Sequence, residues 1–378
     1  MVSIHSRTQS AADVVIVGGG PAGLAAAIAL RAKSIDCLVV DALKFPIDKG
    51  CGEGLMPDAL ESLEALGIQM TSEDGYPLDG VLFANTRHAV AARFPNKCGI
   101  GVRRTHLHQR MSDYAREVGV KLAWHSRVSL LDDGKLFING VRTQYRWLIG
   151  ADGAASQVRK WAGLDQARVV GQRFGFRRHY QIAPWSNFVE VHWGLRSQLY
   201  ITPVGSSCVC VVLITRSARG SDEEFFSEFP EVAEKLKGAP MVGSQRGAAS
   251  ITRRLKRVAT NSVALIGDAS GSVDSITGEG LALSFRQATA LASSIEHGSL
   301  NQYAKTHRAI ATLPHLMAKL MLTMDRWPAM EKRCLNALAS NSSFFQELLS
   351  VHIGVKKLSS VALRSGPLFG WRLLNSNG

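Results

Sequence analysis

The feature that most constrains this chain is a glycine-rich turn that follows an apolar segment near its N-terminus. Residues 13–17 are mostly β-branched and apolar, as expected for a buried parallel strand. The turn Gly18-Gly19-Gly20-Pro21-Ala22-Gly23 fits the pattern G-x-G-x-x-G and leads into an alanine- and leucine-rich helix. Glycines at these positions allow a tight turn and let a pyrophosphate approach the helix N-terminus. The chain is therefore expected to begin with a dinucleotide-binding unit.

An acidic residue completes this unit. Residues 37–40 form a second apolar segment, and Asp41 follows it, 18 residues after Gly23. A carboxylate at the end of the second strand can accept hydrogen bonds from ribose hydroxyls. The alternative is a turn that serves only packing, and the combination of strand, turn, helix and acid disfavours it.

Two later motifs also place acids and glycines after apolar segments. Gly150-Ala151-Asp152-Gly153 is followed by Ser156 and Arg159, and taken alone it is typical of a turn with a capped helix. The other runs from Gly267-Asp268 to Thr277-Gly278-Glu279-Gly280-Leu281, where a helix begins. Asp268 can accept hydrogen bonds from sugar-like hydroxyls, and the glycine backbone can approach a flat ring beside a helix N-terminus.

In this order and spacing, the three motifs resemble those of the FAD-dependent aromatic hydroxylase superfamily, the para-hydroxybenzoate hydroxylase fold, over about the first 300 residues. The resemblance implies that the first motif holds the ADP part of FAD and that the second contacts flavin and takes part in nicotinamide binding. It makes Asp268 the ribityl contact and places Arg104 near the cofactor. The implied cofactor-binding residues are Gly18, Gly20, Ala22, Gly23, Asp41, Cys51, Gly52, Arg104, Asp152, Gly153, Gly267, Asp268, Gly278, Gly280 and Leu281.

A loop after the second strand points to one branch of that superfamily. Lys49-Gly50-Cys51-Gly52-Glu53-Gly54-Leu55, together with the later Thr-Gly-Glu-Gly, is similar to geranylgeranyl reductases. The resemblance implies that Cys51 lies near flavin and substrate, as the candidate catalytic residue. The alternative, a small residue in a crowded loop, stays open.

The rest of the chain predicts how these units are arranged. Residues 171–215 alternate apolar and polar, as in an antiparallel sheet, and the chain beyond residue 300 is amphipathic and helical. We predict an α/β protein: a Rossmann-type FAD-binding domain with an inserted antiparallel-sheet substrate domain and C-terminal helices. The FAD-binding domain is expected over 1–75, 98–170 and 255–300, the substrate domain over 76–97 and 171–254, and the helical region over 301–378.

The antiparallel segments supply candidate substrate contacts, although each of these residues is more usually packed or solvated. Alternation along a strand lets only one of His192 and Trp193 face the flavin. The six cysteines form no C-x-x-C pair, so no metal site is expected. The candidates are His179, His192, Tyr200 and Pro203.

The formal net charge of +13 has several interpretations. The basic residues are scattered and match no nucleic-acid module, so nucleic acid is not expected as a partner. A solvated basic surface is the plain interpretation, and attraction to anionic cofactors or to a membrane face is the alternative. The C-terminal apolar residues are expected to pack over the substrate cavity, with peripheral membrane contact as the alternative; they are Leu316, Leu320, Met321, Met324, Phe369, Trp371 and Leu373.

Targeting signals are not evident. Residues 1–12 are polar, and the apolar run over 14–30 is interrupted by glycines and a proline, so a soluble cytoplasmic protein is expected. The sequence does not indicate an oligomeric state.

The function favoured by the sequence is an FAD-dependent monooxygenase. NAD(P)H would be a transient reductant, since no second G-x-G-x-x-G is present, and O2 would yield a flavin hydroperoxide that hydroxylates or epoxidises a lipophilic or aromatic small molecule. The alternative is an FAD-dependent reductase of isoprenoid or other alkenes. A third hypothesis is flavin binding without turnover. The Trp-x-Trp-x-Ile-Pro pattern of flavin halogenases is absent, so a halogenase is not expected.

Overall fold

The described part of the chain opens with a strand–helix–strand unit and ends in a series of helices. The computed structural model describes residues 10–130, 134–217, 225–364 and 366. The strands are β1 (Ser10–Val17), β2 (Cys37–Val40), β3 (Gly54–Leu55), β4 (Tyr76–Leu78), β5 (Gly80–Ala84), β6 (Ala89–Arg93), β7 (Gly99–Gly101), β8 (Lys121–Ala123), β9 (Val128–Leu130), β10 (Leu136–Ile138), β11 (Val141–Gly150), β12 (Ala167–Tyr180), β13 (Phe188–Trp193), β14 (Ser197–Gly205), β15 (Cys208–Thr215), β16 (Arg246–Leu255) and β17 (Val263–Leu265). The helices are α1 (Pro21–Arg31), α2 (Pro57–Glu64), α3 (Arg104–Glu117), α4 (Gln157–Trp161), α5 (Pro230–Lys235), α6 (Gly280–Glu296), α7 (Asn301–Arg326), α8 (Pro328–Ala339), α9 (Ser342–His352) and α10 (Leu358–Arg364).

A parallel sheet carries the first glycine-rich turn. Its strands run in the order β8-β2-β1-β11-β17, all parallel, while the hairpin β9–β10 pairs with the start of β11. Helix α1 begins with Pro21 at its first turn, where a missing N–H costs nothing, and is buried along most of its length. It packs against α6. This is the Rossmann-type arrangement expected from the sequence.

A second sheet, in the order β16-β12-β15-β14-β13-β5-β6, is antiparallel except where β13 pairs with β5. Successive side chains alternate between its faces. On β15, Val211 and Leu213 pack with the α5 region, while Val212 and Ile214 point to the other face. Strands β3, β7 and β4 form a small third sheet.

The α/β fold class predicted from the sequence is confirmed. Strand β12 starts at Ala167, four residues before the expected boundary at 171, because its ladder with β16 already begins there. The division of the chain into domains stays a prediction. The polar leader up to residue 9 and the apolar residues Phe369, Trp371 and Leu373 lie outside the described residues.

The C-terminal helices close the gap between the two large sheets. The first half of α7 is fixed to the parallel sheet: the Tyr303 hydroxyl donates to the Leu265 carbonyl at 2.6 Å, and His307 contacts the Ser270 hydroxyl at 2.8 Å. Pro314 lies inside α7. Beyond it, α7, α8 and α9 share an apolar core with β5, β6 and β13.

Within the described residues, none of the helices combines the length and the apolar character needed to cross a bilayer.

The Tyr303 hydroxyl provides a test of how α7 is held. Tyr303 is fully buried, so Tyr303→Phe removes a buried hydrogen bond and should lower the free energy of unfolding by about 1–2 kcal/mol. Tyr145→Phe is the control, because the Tyr145 hydroxyl makes only an exposed 3.5 Å contact with Gly134; its change should stay below about 0.5 kcal/mol. Urea unfolding measures both, and equal losses would contradict the assignment.

Candidate cofactor and substrate site

A cavity of about 1610 Å³ lies between the parallel sheet, the second sheet and the C-terminal helices. The ends of β1, β2 and β11 form one part of its wall, and ligands of open α/β sheets bind at such carboxyl ends. Ordinary small-ligand pockets measure about 300–1,000 Å³. The cavity is therefore large enough for a dinucleotide and a second molecule.

The first glycine motif is held by its own backbone and by Asp41. Gly18 has a φ of +111° and donates to the Val40 carbonyl at 2.8 Å. The Asp41 carboxylate accepts from the N–H of Gly19 at 2.7 Å and of Leu43 at 2.8 Å. Asp41 also lines the cavity, so it stabilises the turn while remaining within reach of a ligand.

The glycines of this motif have different tasks. A Cβ on Gly23 would lie 1.8 Å from the Gly18 oxygen, and one on Gly18 would lie 2.3 Å from the Ala151 oxygen, so both serve close packing. A Cβ on Gly20 would have Arg104 Nη2, at 3.9 Å, as its nearest neighbour outside the adjoining chain. Gly20 therefore faces open space at the N-terminus of α1, where a pyrophosphate would be stabilised.

His108 on α3 supports the same turn. It is fully buried, with Nε2 2.8 Å from the Gly19 oxygen and Nδ1 3.4 Å from the Ile47 nitrogen. A neutral ring with its proton on Nε2 satisfies both contacts. Burial lowers the pKa of His108 to about 4, so the ring is neutral at physiological pH.

Arg104 is a buried cation whose hydrogen-bond donors are only partly satisfied by the described residues. Its backbone N–H donates to Glu53 at 2.9 Å, but its Nη1 has no partner among the described residues. Burial lowers the pKa of Arg104, since the charged form is desolvated. The guanidinium lines the cavity close to Gly20, where an anionic ligand would complete its hydrogen bonds. The site thus fits the pyrophosphate of FAD.

The second and third motifs meet at the cavity. The Asp152 carboxylate caps α4 through the N–H groups of Gln157 and Val158, at 2.7 and 3.2 Å, while its buried Oδ1 has no hydrogen-bond partner in the part of the chain that the structure describes. Asp268 is half-exposed and pairs with Lys49 at 3.2 Å. Apart from its chain neighbours and its own helix backbone, a Cβ on Gly280 would meet no described residue within 4 Å, which leaves room for a ligand ring.

Arg159 joins these two motifs. It is fully buried, and its guanidinium donates to the carbonyls of Ala154, at 2.9 Å, and Ala269, at 3.1 Å. It also pairs with Asp165 at 2.6 Å. The loop after β11 and the loop after β17 are therefore fixed relative to each other.

Glu53 is a functional candidate that the sequence did not single out. It is buried with a φ of +61°, and its Oε1 accepts from Arg104 N at 2.9 Å and from Arg177 Nη1 at 3.0 Å. Its Oε2 lies 2.6 Å from His179 Nε2. Arg177 also holds Asp48, with two contacts of 2.9 Å. The network fixes the Cys-Gly-Glu-Gly loop against α3 and β12.

Glu53, His179 and Cys210 place potential ligand atoms within 4.8 Å of one another. Their arrangement is better explained as a hydrogen-bond network than as a metal site. The Glu53 carboxylate is already shared between Arg177 and His179, and burial raises the pKa of the Cys210 thiol well above its usual value. A metal would need that thiol deprotonated.

Cys51 is half-buried on the cavity wall. Its Sγ accepts a hydrogen bond from the Glu53 N–H at 3.4 Å. Burial raises the pKa of the Cys51 thiol above 9.0, so the thiol is protonated at neutral pH. A Cβ on the neighbouring Gly52 would meet nothing within 4 Å, and this side of the loop is open to a ligand.

The structure brings most of the expected cofactor residues together: all but Gly23 and Gly267 line the cavity. Gly23 packs α1 against the turn, and Gly267 donates to Gln287 at 2.9 Å beside the cavity wall.

Of the four expected substrate contacts, only Tyr200 lines the cavity. Its hydroxyl donates to Gln198 Oε1 at 3.1 Å. His179 is turned towards Glu53, His192 pairs with Glu190 at 2.8 Å, and Pro203 packs its carbonyl against Gly101. None of these three residues lines the cavity.

A mainly apolar part of the cavity wall comes from two regions. The second sheet contributes Val81, Phe83, Val189, Val191, Val212 and Ile214. The C-terminal helices contribute Met317, Leu320, Met321, Thr323, Met324, Met330, Cys334, Leu338, Phe344, Phe345, Leu348, Leu349 and His352.

The chain belongs to the FAD binding domain family, whose model matches residues 11–298. It is an FAD-dependent oxidoreductase, and the family expected from the three motifs is confirmed.

Curated relatives include both reductases and a hydroxylase. Menaquinone reductase of Mycobacterium tuberculosis is 28% identical over 305 residues, covering 72% of this chain and 74% of the relative. Digeranylgeranylglycerophospholipid reductase of Methanococcus vannielii is 24% identical, covering 72% and 73%. Hispidin-3-hydroxylase of Neonothopanus nambi is 27% identical but covers 49% and 48%.

Among solved structures, the flavin-dependent brominase Bmp2 has a TM-score of 0.79 and covers 96% of this chain and 99% of its own. Its sequence identity is 17%, so the likeness shows a shared fold alone.

The open space at Gly20 can be tested with two similar side chains. Gly20 has a φ of −69° that any residue adopts, and both Asp and Asn cap helices well. Gly20→Asp should weaken FAD binding at least about 100-fold, because its carboxylate would face the pyrophosphate. Gly20→Asn fills the same space without charge and should weaken binding less.

FAD titration followed by flavin fluorescence measures both affinities, and thermal unfolding of the apoprotein checks that each variant folds. Wild-type affinity in both variants would show that Gly20 does not face the cofactor.

His108 predicts a dependence of stability on pH. Its pKa is lowered from 6.5 to about 4 in the folded chain, so only the unfolded chain takes up its proton between these values. Above pH 6.5 the neutral His108 ring leaves the free energy of unfolding at its full value. As the pH falls towards 4, that free energy decreases by about 3 kcal/mol. His108→Gln should flatten the stability profile in this window, measured by urea unfolding at several pH values. The exposed His125, changed to Asn, is the control, and an unchanged slope in His108→Gln would contradict the assignment.

Proposed function

We propose that this protein is an FAD-dependent reductase that saturates a carbon–carbon double bond of a lipophilic, isoprenoid-type substrate. The observation that carries the proposal is the position of the Cys51 thiol on the wall of a large cavity, next to the glycines expected to hold the flavin. Burial raises the pKa of this thiol, which favours its protonated form. NAD(P)H as the transient reductant is part of the proposal.

The shape and chemistry of the cavity support a lipophilic substrate. Beyond the glycine motifs, a large part of its wall consists of aliphatic, aromatic and methionine side chains from the second sheet and α7–α9. Apolar contacts of this kind favour burial of a hydrocarbon chain, at about 25 cal/mol per Å² removed from water. Methionines at the wall adapt to irregular apolar shapes.

Saturation of a double bond requires a hydride and a proton. Bound reduced FAD supplies the hydride equivalent. Cys51 holds a proton at Sγ and can give it to the second carbon, leaving a thiolate. Arg104 lies close enough to lower the pKa of Cys51 electrostatically, although burial has the larger effect, so the nearby cation would stabilise this thiolate until solvent returns the proton.

The fixed loop supports this role. Glu53 ties the loop to α3 and β12 through the Arg104 N–H, Arg177 and His179, so the Cys51 thiol is held at one place. Preorganisation of this kind increases the rate of a proton transfer. The relatives named menaquinone reductase and digeranylgeranylglycerophospholipid reductase each align with more than 70% of the chain, which also favours reduction.

Monooxygenation, the function favoured by the sequence alone, is the second candidate. A relative named hispidin-3-hydroxylase supports it, although the alignment covers about half of the chain. The enclosed apolar wall would suit either reaction, since both benefit from the exclusion of water.

The two candidates differ in their need for oxygen. FAD-loaded protein, reduced with NADPH or dithionite, is incubated with a geranylgeranyl lipid or a polyprenyl quinone under argon and in air. We expect a product that gains two hydrogens under argon, detected by mass spectrometry after any quinol has been reoxidised. A product that gains one oxygen atom only in air would overturn the proposal in favour of monooxygenation. If FAD binds and neither product forms, the hypothesis that remains is flavin binding without turnover.

Replacement of Cys51 tests its role in that reaction. Cys51→Ala should lower the rate of product formation at least about 100-fold, as expected for loss of a general acid, with FAD affinity changed little. Cys98→Ala is the matched control, since Cys98 is exposed and absent from the cavity wall. Equal rates in both variants would remove Cys51 from the chemistry.

A further inference from the structure

Helix α7 and the start of α8 present large apolar side chains to solvent. Leu316, Leu320 and Trp327 are 38%, 52% and 58% exposed. Leu316 and Leu320 are four residues apart, so they lie one turn from each other on the same side of α7, and Trp327 directly follows its last residue. Exposed apolar side chains grouped on one face mark interaction surfaces.

Exposed basic side chains lie close to these residues along the chain. Lys319, Arg326 and Arg333 are exposed, and no carboxylate of the described residues lies within 4.0 Å of their charged groups. The Arg326 guanidinium lies 5.8 Å from the Trp327 ring centroid. Between residues 301 and 364 the chain carries nine Lys and Arg but three Asp and Glu. The surface formed by these six residues, the α7–α8 surface, is therefore apolar and cationic together.

The composition of the α7–α8 surface favours one class of binding partner over another. Helices that lie on membranes combine an apolar face with Lys and Arg, and tryptophan favours the boundary between lipid headgroups and acyl chains. A second copy of the chain, docked by a two-fold axis, would bring the same cations against one another. An anionic lipid surface complements both the charge and the apolar residues.

The cavity reaches this surface. Leu320 and Thr323 are exposed and also line the cavity, and Met321, Met324 and Met330 continue the apolar wall inwards. A hydrocarbon chain at the α7–α8 surface would thus have a continuous apolar path into the cavity.

We infer that the α7–α8 surface docks on anionic lipid bilayers and that substrate enters the cavity from the lipid phase. The docking does not depend on the type of reaction; only the entry of substrate rests on the proposed function.

Binding is measured by sedimentation of full-length, FAD-loaded protein with vesicles of phosphatidylcholine alone or of equal parts phosphatidylcholine and phosphatidylglycerol. We expect binding to the mixed vesicles that weakens as salt is added. Changing Lys319, Arg326 and Arg333 together to Gln should weaken it by about five-fold for each charge lost. The pair Leu316→Ser and Trp327→Ser should weaken binding to mixed vesicles at least about ten-fold.

Matched controls change similar residues elsewhere. Leu195→Ser with Met241→Ser removes two exposed apolar side chains, and Arg87, Lys256 and Arg257 changed together to Gln remove three exposed charges. Both controls should bind as wild type does. Thermal unfolding and FAD content verify that all variants are folded.

Three results would overturn the inference. The first is wild-type protein that stays in the supernatant with both vesicle types, and the second is α7–α8 variants that sediment as the controls do. The third is a dimer in gel filtration that only the α7–α8 variants abolish, which would assign the surface to a second copy. Sedimentation involves no turnover, so it is unaffected if the proposed reaction is wrong. Conversely, an activity assay with detergent-dispersed substrate tests the proposed reaction in the absence of a bilayer, so its result does not depend on membrane docking.

Discussion

The buried carboxylate of Glu53 is the interaction on which the arrangement of the site depends. It accepts hydrogen bonds from the start of α3, in the nucleotide-binding part, and contacts Arg177 and His179 on β12, in the second sheet. A buried carboxylate is tolerated only when its oxygens are satisfied in this way. The two walls of the cavity are therefore held at a defined separation by a residue that lies within the loop carrying Cys51.

The parts of this molecule that sequence could predict are those encoded locally. The glycine turn, its flanking strand and helix, and Asp41 lie within 29 consecutive residues, and the steric demands at Gly18 and Gly23 leave little choice of residue. The second and third motifs are ambiguous when each is taken alone. Asp152, for example, does cap a helix, as the alternative interpretation of the second motif predicts. Their order along the chain supplied the missing information.

Non-local contacts explain what sequence did not predict. Glu53 and His179 are 126 residues apart, and nothing near either residue indicates the other. The choice of His179, His192 and Pro203 rested on residue type, but strand register and neighbours decide where each side chain points. The C-terminal wall was foreseen as apolar packing at Leu320, Met321 and Met324, whereas the contributions of α8 and α9 depend on how three helices fold back together.

Pro314 divides α7 into two segments that contact different parts of the molecule. Pro314 has no backbone N–H to continue the helical hydrogen bonds, so it marks a division between the two segments of α7. Tyr303 and His307, before the proline, fasten α7 to the loop that follows the parallel sheet, while Met317 and Met321, after it, border the cavity. Substitutions at the cavity-lining residues of the second segment can therefore reshape the cavity while the contacts of Tyr303 and His307 are kept, and descendants of this chain could acquire new substrates while retaining the same cofactor.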